Sequence, residues 1–211
     1  MNYLKKGVLA AVMLSTVVFT TGCAPIIVGG AALTTANIAA DRRTSGRIVT
    51  DEVLEKEVMY DLSREKFQNS HITVTAYNGK VLLTGEIASE QDKDTAQRIA
   101  KAQPDLRYVQ NELAVMAPSS ASERLDDVVL ATKVRSILLT TKDIPFKQIK
   151  VVTERGNVYL LGLVTPLEAK KIAEVTASIS GVKNVVLCFT VESAQEIRDR
   201  FADYDVKPVV K

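Results

Sequence analysis

The chain has 211 residues, with 27 Lys or Arg, 25 Asp or Glu, one histidine, no tryptophan and only 5% aromatic residues. This near balance of charge argues against broad electrostatic capture of nucleic acid, which needs a concentrated basic face. The shortage of histidine and aromatic side chains argues against a catalytic pocket, which such residues commonly build. The length suits one or two small domains.

The first 22 residues are typical of an export signal. Lys5 and Lys6 precede an apolar run, residues 8–19, and small residues follow up to Gly22. The run is about half the ~20 residues that a membrane-spanning helix needs, so we do not expect it to span. Because Cys23 comes directly after the small residues, the leader resembles that of a bacterial lipoprotein. In such proteins the cysteine sulfur receives a diacylglyceryl group and the new amine is acylated.

Two neighbouring residues bear on this prediction. Thr20 stands where such leaders usually carry Leu, and an ordinary secretory signal cleaved nearby is the alternative. Ala24 favours sorting to the outer membrane, because retention at the inner membrane typically uses Asp there. Lipidation of Cys23 would leave Cys188 as the only thiol, so no intramolecular disulfide could form. The apolar neighbours of Cys188 predict that it is a small buried residue.

Residues 23–50 are rich in Ala, Gly, Thr and Ser and show no sustained amphipathic period. We therefore predict a flexible tether between the lipidated cysteine and the folded part.

Beyond residue 50 the sequence repeats itself. Each half begins with apolar residues spaced i, i+4, i+8, which predicts one buried stripe of a helix. Two alternating segments follow, separated by Asn78-Gly79 in the first half and Arg155-Gly156 in the second, and each pair predicts a β-hairpin. A second helical pattern and a last strand complete each half. The stripes are Leu54, Val58 and Leu62, and Leu130, Val134 and Leu138.

This order predicts an α+β protein with two tandem αββαβ domains. Each would be a small three-stranded sheet with two helices on one face, since the helical stripes have no other apolar partner. We place the domains at residues 51–117 and 124–192. A C-terminal extension, residues 193–211, begins as a weakly helical segment.

The other face of the second sheet also requires a partner. Tyr159, Leu161, Val186 and Cys188 alternate away from the face covered by helices. So many apolar side chains in water would form an unusually large patch. We expect this face to pack against the first domain, and packing on another protein is the rival prediction.

The repeated motifs resemble the BON domain, a module of bacterial envelope proteins. The second copy shows Gly156, Val158, Leu160 and Gly162 in the family spacing, followed by the segment 181–185, Gly-Val-Lys-Asn-Val. The first copy has Leu-Arg-Tyr-Val at 106–109 instead of that last motif and lacks its glycine. The matched glycines at the strand positions 85 and 162 favour close backbone approach or a bulge rather than ligand contact.

Together with the leader, the resemblance implies a non-enzymatic outer-membrane lipoprotein on the periplasmic face. It implies binding of anionic phospholipid, such as phosphatidylglycerol or cardiolipin, through the second domain. It also implies a role in envelope integrity, accumulation at division sites, and association with the outer-membrane β-barrel assembly machinery. The alternative is an interaction module that docks an envelope protein and touches lipid only through Cys23.

The first helix of the second unit carries the candidate lipid-binding residues. Val129 and Leu139 are apolar but lie off the buried stripe, among Lys133, Arg135 and Lys142. An apolar surface with flanking cations suits a lipid headgroup boundary. A related family member carries Trp where Val129 stands, which predicts weaker insertion here, and an ordinary solvated basic face is the alternative. The equivalent first-unit helix carries acids that an anionic surface would repel: Glu52, Glu55, Glu57 and Asp61.

The sequence contains no set of residues that indicates catalysis, metal binding or cofactor binding. His71 stands at the mouth of a strand without a neighbouring nucleophile, so we expect a solvated strand-edge residue. The sequence has no Cys or His cluster with zinc-ligand spacing. Gly29-Gly30 lies in the predicted tether rather than between a strand and a helix, so it is not a phosphate loop.

Overall fold

A computed structural model describes residues 41–202. The predicted leader, Cys23, the tether up to residue 40 and the end of the C-terminal extension lie outside the described residues. Within that described part, no helix is long and apolar enough to cross a membrane.

The elements of the first domain are α1 (Ser45–Arg64), β1 (His71–Tyr77), β2 (Lys80–Ile87), α2 (Glu90–Lys101), β3 (Tyr108–Asn111) and β4 (Ala114–Val115). The later elements are α3 (Ala121–Thr140), β5 (Ile149–Glu154), β6 (Asn157–Val164), α4 (Pro166–Ala177), β7 (Asn184–Leu187), β8 (Thr190–Val191) and α5 (Ala194–Ala202).

Each domain has a sheet whose middle strand is the second strand of the hairpin. β1 runs antiparallel to β2, and β3 runs parallel to β2 on its other side. β5, β6 and β7 repeat this arrangement. The prediction of an α+β fold with tandem repeats is confirmed.

The predicted third strand is divided in both domains. β3 and β4 both pair with β2, with Glu112 and Leu113 between them, and β7 and β8 both pair with β6 around Cys188 and Phe189. The break is local, because the N–H of Glu112 still donates to the carbonyl of Leu83 at 2.8 Å. At the break, the side chains of Leu113 and Phe189 lie in the hydrophobic cores of their domains.

The helices of each domain cover one face of its sheet, and the predicted stripes form the cores there. The two matched glycines let β2 and β6 lie close to the chain beside them. A Cβ at Gly85, where φ is +110°, would stand 2.0 Å from the carbonyl oxygen of His71. A Cβ at Gly162 would stand 2.6 Å from that of Gln148. The prediction that these glycines allow close backbone approach is confirmed.

An aspartate on the first helix of each domain holds the hairpin turn. The two carboxylate oxygens of Asp51 accept hydrogen bonds from the N–H groups of Asn78 and Gly79, at 2.5 and 2.8 Å. Asp127 repeats the arrangement with the second turn, at 2.6 and 2.8 Å. The turn amides have no strand partner, so these buried carboxylates satisfy donors that burial would otherwise leave unpaired. Positive φ values occur at all four turn residues: Asn78, Gly79, Arg155 and Gly156.

Ordered structure begins before residue 51, where the first domain was predicted to start. α1 begins at Ser45, and the hydroxyl of Thr44 accepts a hydrogen bond from the N–H of Arg47 at its N-terminus. Residues 41–50, assigned to a flexible tether, therefore form ordered structure. The first turns of α1 are held by polar contacts, such as the ion pair of Arg47 with Asp51 at 2.9 Å. Polar residues do not add to the apolar periodicity from which the rest of the helix was predicted. The sequence pattern therefore did not predict the first turns of α1.

Replacing Asp127 with Ala should destabilise the second domain by about 2–4 kcal/mol, because two turn amides lose their acceptor. Chemical denaturation followed by circular dichroism measures the loss. Asp126→Ala is the matched control, since Asp126 is the exposed neighbour on the same helix and its removal should change stability by less than ~0.5 kcal/mol. Equal stability of the two variants would show that the carboxylate is not needed to hold the turn.

Candidate membrane-contact surface

The two sheets face each other, and their inner faces form a third core. It combines Tyr77 and Leu82 of the first domain with residues of the second. The expectation that Tyr159, Leu161, Val186 and Cys188 pack against the first domain is confirmed. The layers therefore run helices, sheet, sheet, helices, which leaves α1 and α3 on opposite outer surfaces.

Cys188 belongs to this core and is 2% exposed. Burial raises the pKa of its thiol to about 11, so the neutral thiol predominates at neutral pH. It acts as the small buried hydrophobe predicted from its neighbours. Next to it, the ammonium of Lys80 crosses from the first domain and donates to the carbonyls of Cys188 and Phe189, at 2.9 and 3.1 Å.

A buried carboxylate joins the two domains and the segment between them. Glu86 at the end of β2 is fully buried. It accepts hydrogen bonds from the backbone N–H of Ser119, which lies just before α3, at 3.2 Å, and from the guanidinium of Arg155 at 3.1 Å. Arg155 also donates to the carbonyl of Gly85 at 3.2 Å. Domain one, the connecting segment and domain two thus meet at one carboxylate.

Glu154 lies beside this joint at the end of β5 and is 5% exposed. Its pKa is raised to about 7, first by burial and then by the negative charges of Glu86 and Asp127. The cations Arg155 and Arg124 oppose that rise. The joint therefore holds three carboxylates close together, and the pKa of Glu154 lies near neutral pH.

The outer face of α3 presents a stripe of exposed apolar side chains. The predicted residues Val129 and Leu139 are both 62% exposed. The structure adds Leu125 and Val128 to the same face, at 62% and 59% exposed. Relative to Leu125 the four positions are i, i+3, i+4 and i+14, which places them on one side of a helix. We call these four residues the α3 stripe.

The predicted cations do not all lie together on α3. The ammonium of Lys133 donates to the carbonyl of Ser180 at 2.8 Å, and the guanidinium of Arg135 donates to that of Val151 at 2.7 Å. These residues are two positions apart, so they flank the α3 stripe on opposite sides. Lys142 is exposed and lies just beyond the end of α3.

The charges of Lys133 and Arg135 remain uncompensated, since their partners are neutral carbonyls. In the described part of the chain, neither forms an ion pair with a carboxylate. The C-terminal half of α3, residues 132–140, carries these two cations and no acid. That half exposes Leu139 beside the two cations, and this combination is the chemistry of a peripheral contact with anionic lipid. The other three residues of the α3 stripe lie in the N-terminal half, which also exposes the acids Glu123 and Asp126.

The equivalent helix of the first domain differs in charge rather than in shape. α1 also exposes apolar side chains, among them Val49, Val53 and Tyr60. It carries three basic and five acidic residues, whereas α3 carries three of each. Its exposed acids Glu52 and Glu57 stand beside that apolar face. An anionic surface would repel α1 and attract the C-terminal half of α3.

Leu125 and Val128 were not predicted from the sequence, because they lie farther along α3 from the cations Lys133 and Arg135. The sequence does indicate them, since both lie on the same side of the helix as Val129 and off the buried stripe.

His71 is partly buried at the start of β1 and lines a groove of about 390 Å³ between the domains. In the described residues, the structure contains no cluster of His, Cys, Asp or Glu that could hold a metal ion.

The BON domain model matches residues 50–117 and 126–193, and the chain belongs to this family. It is a protein with two BON domains in tandem. It is similar to the outer membrane lipoprotein DolP of Haemophilus influenzae, with 34% identity over 181 residues, 85% of this chain and 93% of that protein. A 21 kDa hemolysin of Actinobacillus pleuropneumoniae is 33% identical over 148 residues, 69% of this chain and 76% of its own. Among solved structures, CdsD of the type III secretion system of Chlamydia trachomatis aligns with 72% of this chain and 99% of its own, with 13% identity and a TM-score of 0.30.

The raised pKa of Glu154 predicts how stability depends on pH. The folded state favours the protonated carboxyl, so its contribution is fully present below the ordinary pKa of 4.5 and is lost as pH rises toward about 7. Between pH 5 and pH 8 the wild type should lose ~2 kcal/mol more stability than Glu154→Gln, whose amide does not titrate. Urea denaturation at the two pH values measures this difference.

Glu57→Gln is the control for that experiment, because Glu57 is exposed on α1. It should follow the pH dependence of the wild type. If Glu154→Gln follows it equally well, Glu154 is ionised throughout and the carboxylates of the joint do not repel one another.

Proposed function

We propose that this protein is an outer-membrane lipoprotein on the periplasmic face, anchored through Cys23. We also propose that its second BON domain binds anionic phospholipid. Localisation is supported by similarity to the outer membrane lipoprotein DolP over most of both chains. The leader, residues 1–22, supports the same localisation, and Cys23 directly after it would carry the acyl anchor. We propose no enzymatic activity.

The observation that carries the lipid-binding proposal is the α3 stripe with its flanking cations. A cation near an anionic membrane surface contributes about 1 kcal/mol, and the apolar side chains add insertion into the headgroup boundary. Such a contact is weak on its own. The acyl anchor raises the effective concentration of α3 at the membrane, so a weak contact suffices to select lipid composition. The anchor holds the protein, and α3 recognises the headgroup.

Phosphatidylglycerol and cardiolipin are the anionic headgroups that we propose as ligands. By similarity to DolP we extend the proposal to envelope integrity, enrichment at division sites and association with the β-barrel assembly machinery. These cellular roles rest on that similarity and on the family. The structure of α3 is not part of the support for them.

A second candidate function is docking of an envelope protein, and the exposed face of α1 favours it. Val49, Val53 and Tyr60 form an apolar strip among acids, which suits a basic protein surface better than an anionic membrane. In that case the folded part would contact protein, and only the acyl anchor would contact lipid.

Flotation with vesicles separates these functions. The protein without residues 1–23 should float with vesicles of phosphatidylglycerol and phosphatidylethanolamine at low salt. It should not float with phosphatidylcholine alone. Raising the salt concentration should weaken binding, because screening reduces the contribution of Lys133 and Arg135. If the protein ignores the anionic vesicles at low salt, intrinsic lipid recognition is wrong.

Val129→Glu should reduce vesicle binding about tenfold, because it replaces an apolar contact with a negative charge. The repeat offers a matched control in Val53→Glu, since Val53 precedes Leu54 as Val129 precedes Leu130. Val53 is also exposed, at 45%, and its substitution should leave binding unchanged. Equal loss in both variants would show that the effect is not specific to α3.

A further inference from the structure

The strands β1 and β5 are edge strands, and they lie beside each other where the two sheets meet. Each has one neighbour in its own sheet, β2 for β1 and β6 for β5. The ammonium of Lys150 on β5 reaches the carbonyl of Ala76 on β1 at 3.5 Å, so the two strands are adjacent. The outer side of an edge strand presents backbone N–H and C=O groups that can pair with another extended chain.

In the first domain, two charged side chains close this edge. The carboxylate of Glu55 on α1 accepts a hydrogen bond from the N–H of Ala76 at 2.8 Å. Lys150, which lies at the carbonyl of Ala76, pairs with Glu55 at 2.9 Å. One ion pair thus covers both outward backbone groups of Ala76. An added strand could reach β1 here only by displacing that pair.

The second domain has short side chains at the equivalent positions, which are matched by their spacing from the helical stripes and the hairpin turns. These short side chains line the groove of about 390 Å³ beside α3, whereas the pocket at the closed edge measures about 220 Å³. We call the larger one the β5 groove. No ion pair like that of the first domain can form across it. The equivalent residues are Ala76 and Thr153, Glu55 and Ala131, and Lys150 and Thr73.

The β5 groove leaves polar groups of Thr153 without partners. The guanidinium of Arg135 reaches the carbonyl of Val151 from α3, so Val151 and Thr153 direct their backbone groups away from β6. The N–H of Thr153 therefore points outward, as that of Ala76 does. Among the described residues, the hydroxyl of Thr153 is buried and has no hydrogen-bond partner. Buried donors of this kind favour an occupant that supplies acceptors.

Two guanidinium groups of α3 border the β5 groove, those of Arg124 and Arg135. Both donate to backbone carbonyls, of Ser119 and Val151. Within residues 41–202, neither pairs with a carboxylate. They stand 11 positions apart on the helix, which is about 16 Å. An extended chain of about five residues covers that distance.

The acids that line the β5 groove are Asp127 and Glu154. The carboxylate of Asp127 is occupied by the two amides of the hairpin turn. The pKa of Glu154 is raised to about 7, so its negative charge is incomplete at neutral pH. The uncompensated charge along the groove is therefore positive, and it favours an anionic occupant.

We propose that the β5 groove binds an extended polypeptide segment that carries a carboxylate side chain. The segment adds to β5 as a further strand of the second sheet. Its backbone carbonyl accepts from the N–H of Thr153, and its N–H replaces Arg135 at the carbonyl of Val151. The released Arg135 pairs with the carboxylate, to which the hydroxyl of Thr153 also donates. This site lies beside the α3 stripe and does not include it, so it goes beyond the proposed lipid contact.

Peptide binding to the full chain in micelles of an uncharged detergent tests this inference. The probe is an amidated peptide, Thr-Val-Glu-Val-Thr, with a dye at its N-terminus, and fluorescence anisotropy measures its binding. We expect saturable binding. Amide hydrogen exchange, measured by mass spectrometry, should slow in β5 and remain unchanged in β1. A peptide with Gln in place of Glu should bind about tenfold more weakly, because its contacts with Arg135 and Thr153 lose the charge.

The repeat also supplies a variant that closes the β5 groove. Thr73→Lys combined with Ala131→Glu places in the second domain the pair that closes the first. It should lower the affinity for the peptide about tenfold or more, because the new pair covers the backbone groups of Thr153. Thr132→Glu is the control, since Thr132 is exposed on α3 and does not line the groove. It should leave binding unchanged.

A methylated peptide makes the same test without changing the protein. Methyl groups on its backbone nitrogens remove the donors that a strand added to β5 needs, so its binding should be abolished. If it binds as tightly as the parent peptide, no strand is added and the inference is overturned.

Three further results would overturn the inference. Equal binding by the wild type and the closed variant would place the peptide elsewhere. Absence of binding to the wild type would show that the β5 groove accepts no added strand. A dimer in sedimentation that the closed variant loses, without any peptide binding, would assign the β5 groove to a second copy of this chain. Vesicle flotation does not enter this test, so its outcome is separate from that of the lipid proposal.

Discussion

Burial of one sheet face against the other is the constraint on which the rest of the structure depends. Leu82, Leu161 and Leu163 are fully buried between the sheets, and each buried leucine contributes ~1.5–3 kcal/mol relative to an exposed one. Separation of the domains would expose them together with Tyr77 and Tyr159. The two domains therefore behave as one body, and their helices occupy the outer surfaces. The exposure of the α3 stripe follows from this arrangement, because the inner face of its sheet already has a partner.

Polar contacts at the rim of this interface fix how the domains are aligned. A hydrophobic contact is non-directional and tolerates sliding, whereas a buried carboxylate is costly unless its partners stand in position. Glu86 takes partners from the connecting segment and from the second domain, and Arg42 and Lys80 also cross between domains. The apolar core supplies the free energy of docking. The crossing polar contacts select one alignment.

The sequence predicts best what periodicity encodes. The helical stripes and hairpins recur in both halves, so each copy supports the interpretation of the other. Seven of the eight residues of β6, Val158–Val164, are fully or nearly buried, and this continuous run indicates a strand covered on both faces. The pairing of the two sheets was thus predictable from Tyr159, Leu161 and Cys188.

Contacts between distant polar residues carry no such period. Asp51 and Asp127 hold their turns from about 27 positions away, and Arg42 reaches Glu168 across 126. Nothing in the local sequence of these residues indicates those partners. The same limit applies to the start of α1, where polar contacts of Arg47 and Asp51 replace an apolar stripe. In the candidate site, the sequence predicted which cations lie on α3. Only the structure shows that carbonyl groups are their hydrogen-bond partners and that they lie on opposite sides of the α3 stripe.

The turns of the two copies show how the repeat has diverged under this constraint. Asn78 tolerates positive φ well, whereas Arg155 adopts a φ of 53° at the equivalent position, where a long side chain is disfavoured. The backbone strain of such a residue persists only when the surroundings fix it. Arg155 is fixed by Glu86 and the carbonyl of Gly85 across the interface. The first turn connects the strands of its own hairpin. The second turn is strained at Arg155, and the side chain of that residue contacts the first domain. Arg155 therefore stands where local sequence preference and domain docking conflict, and docking determines the residue.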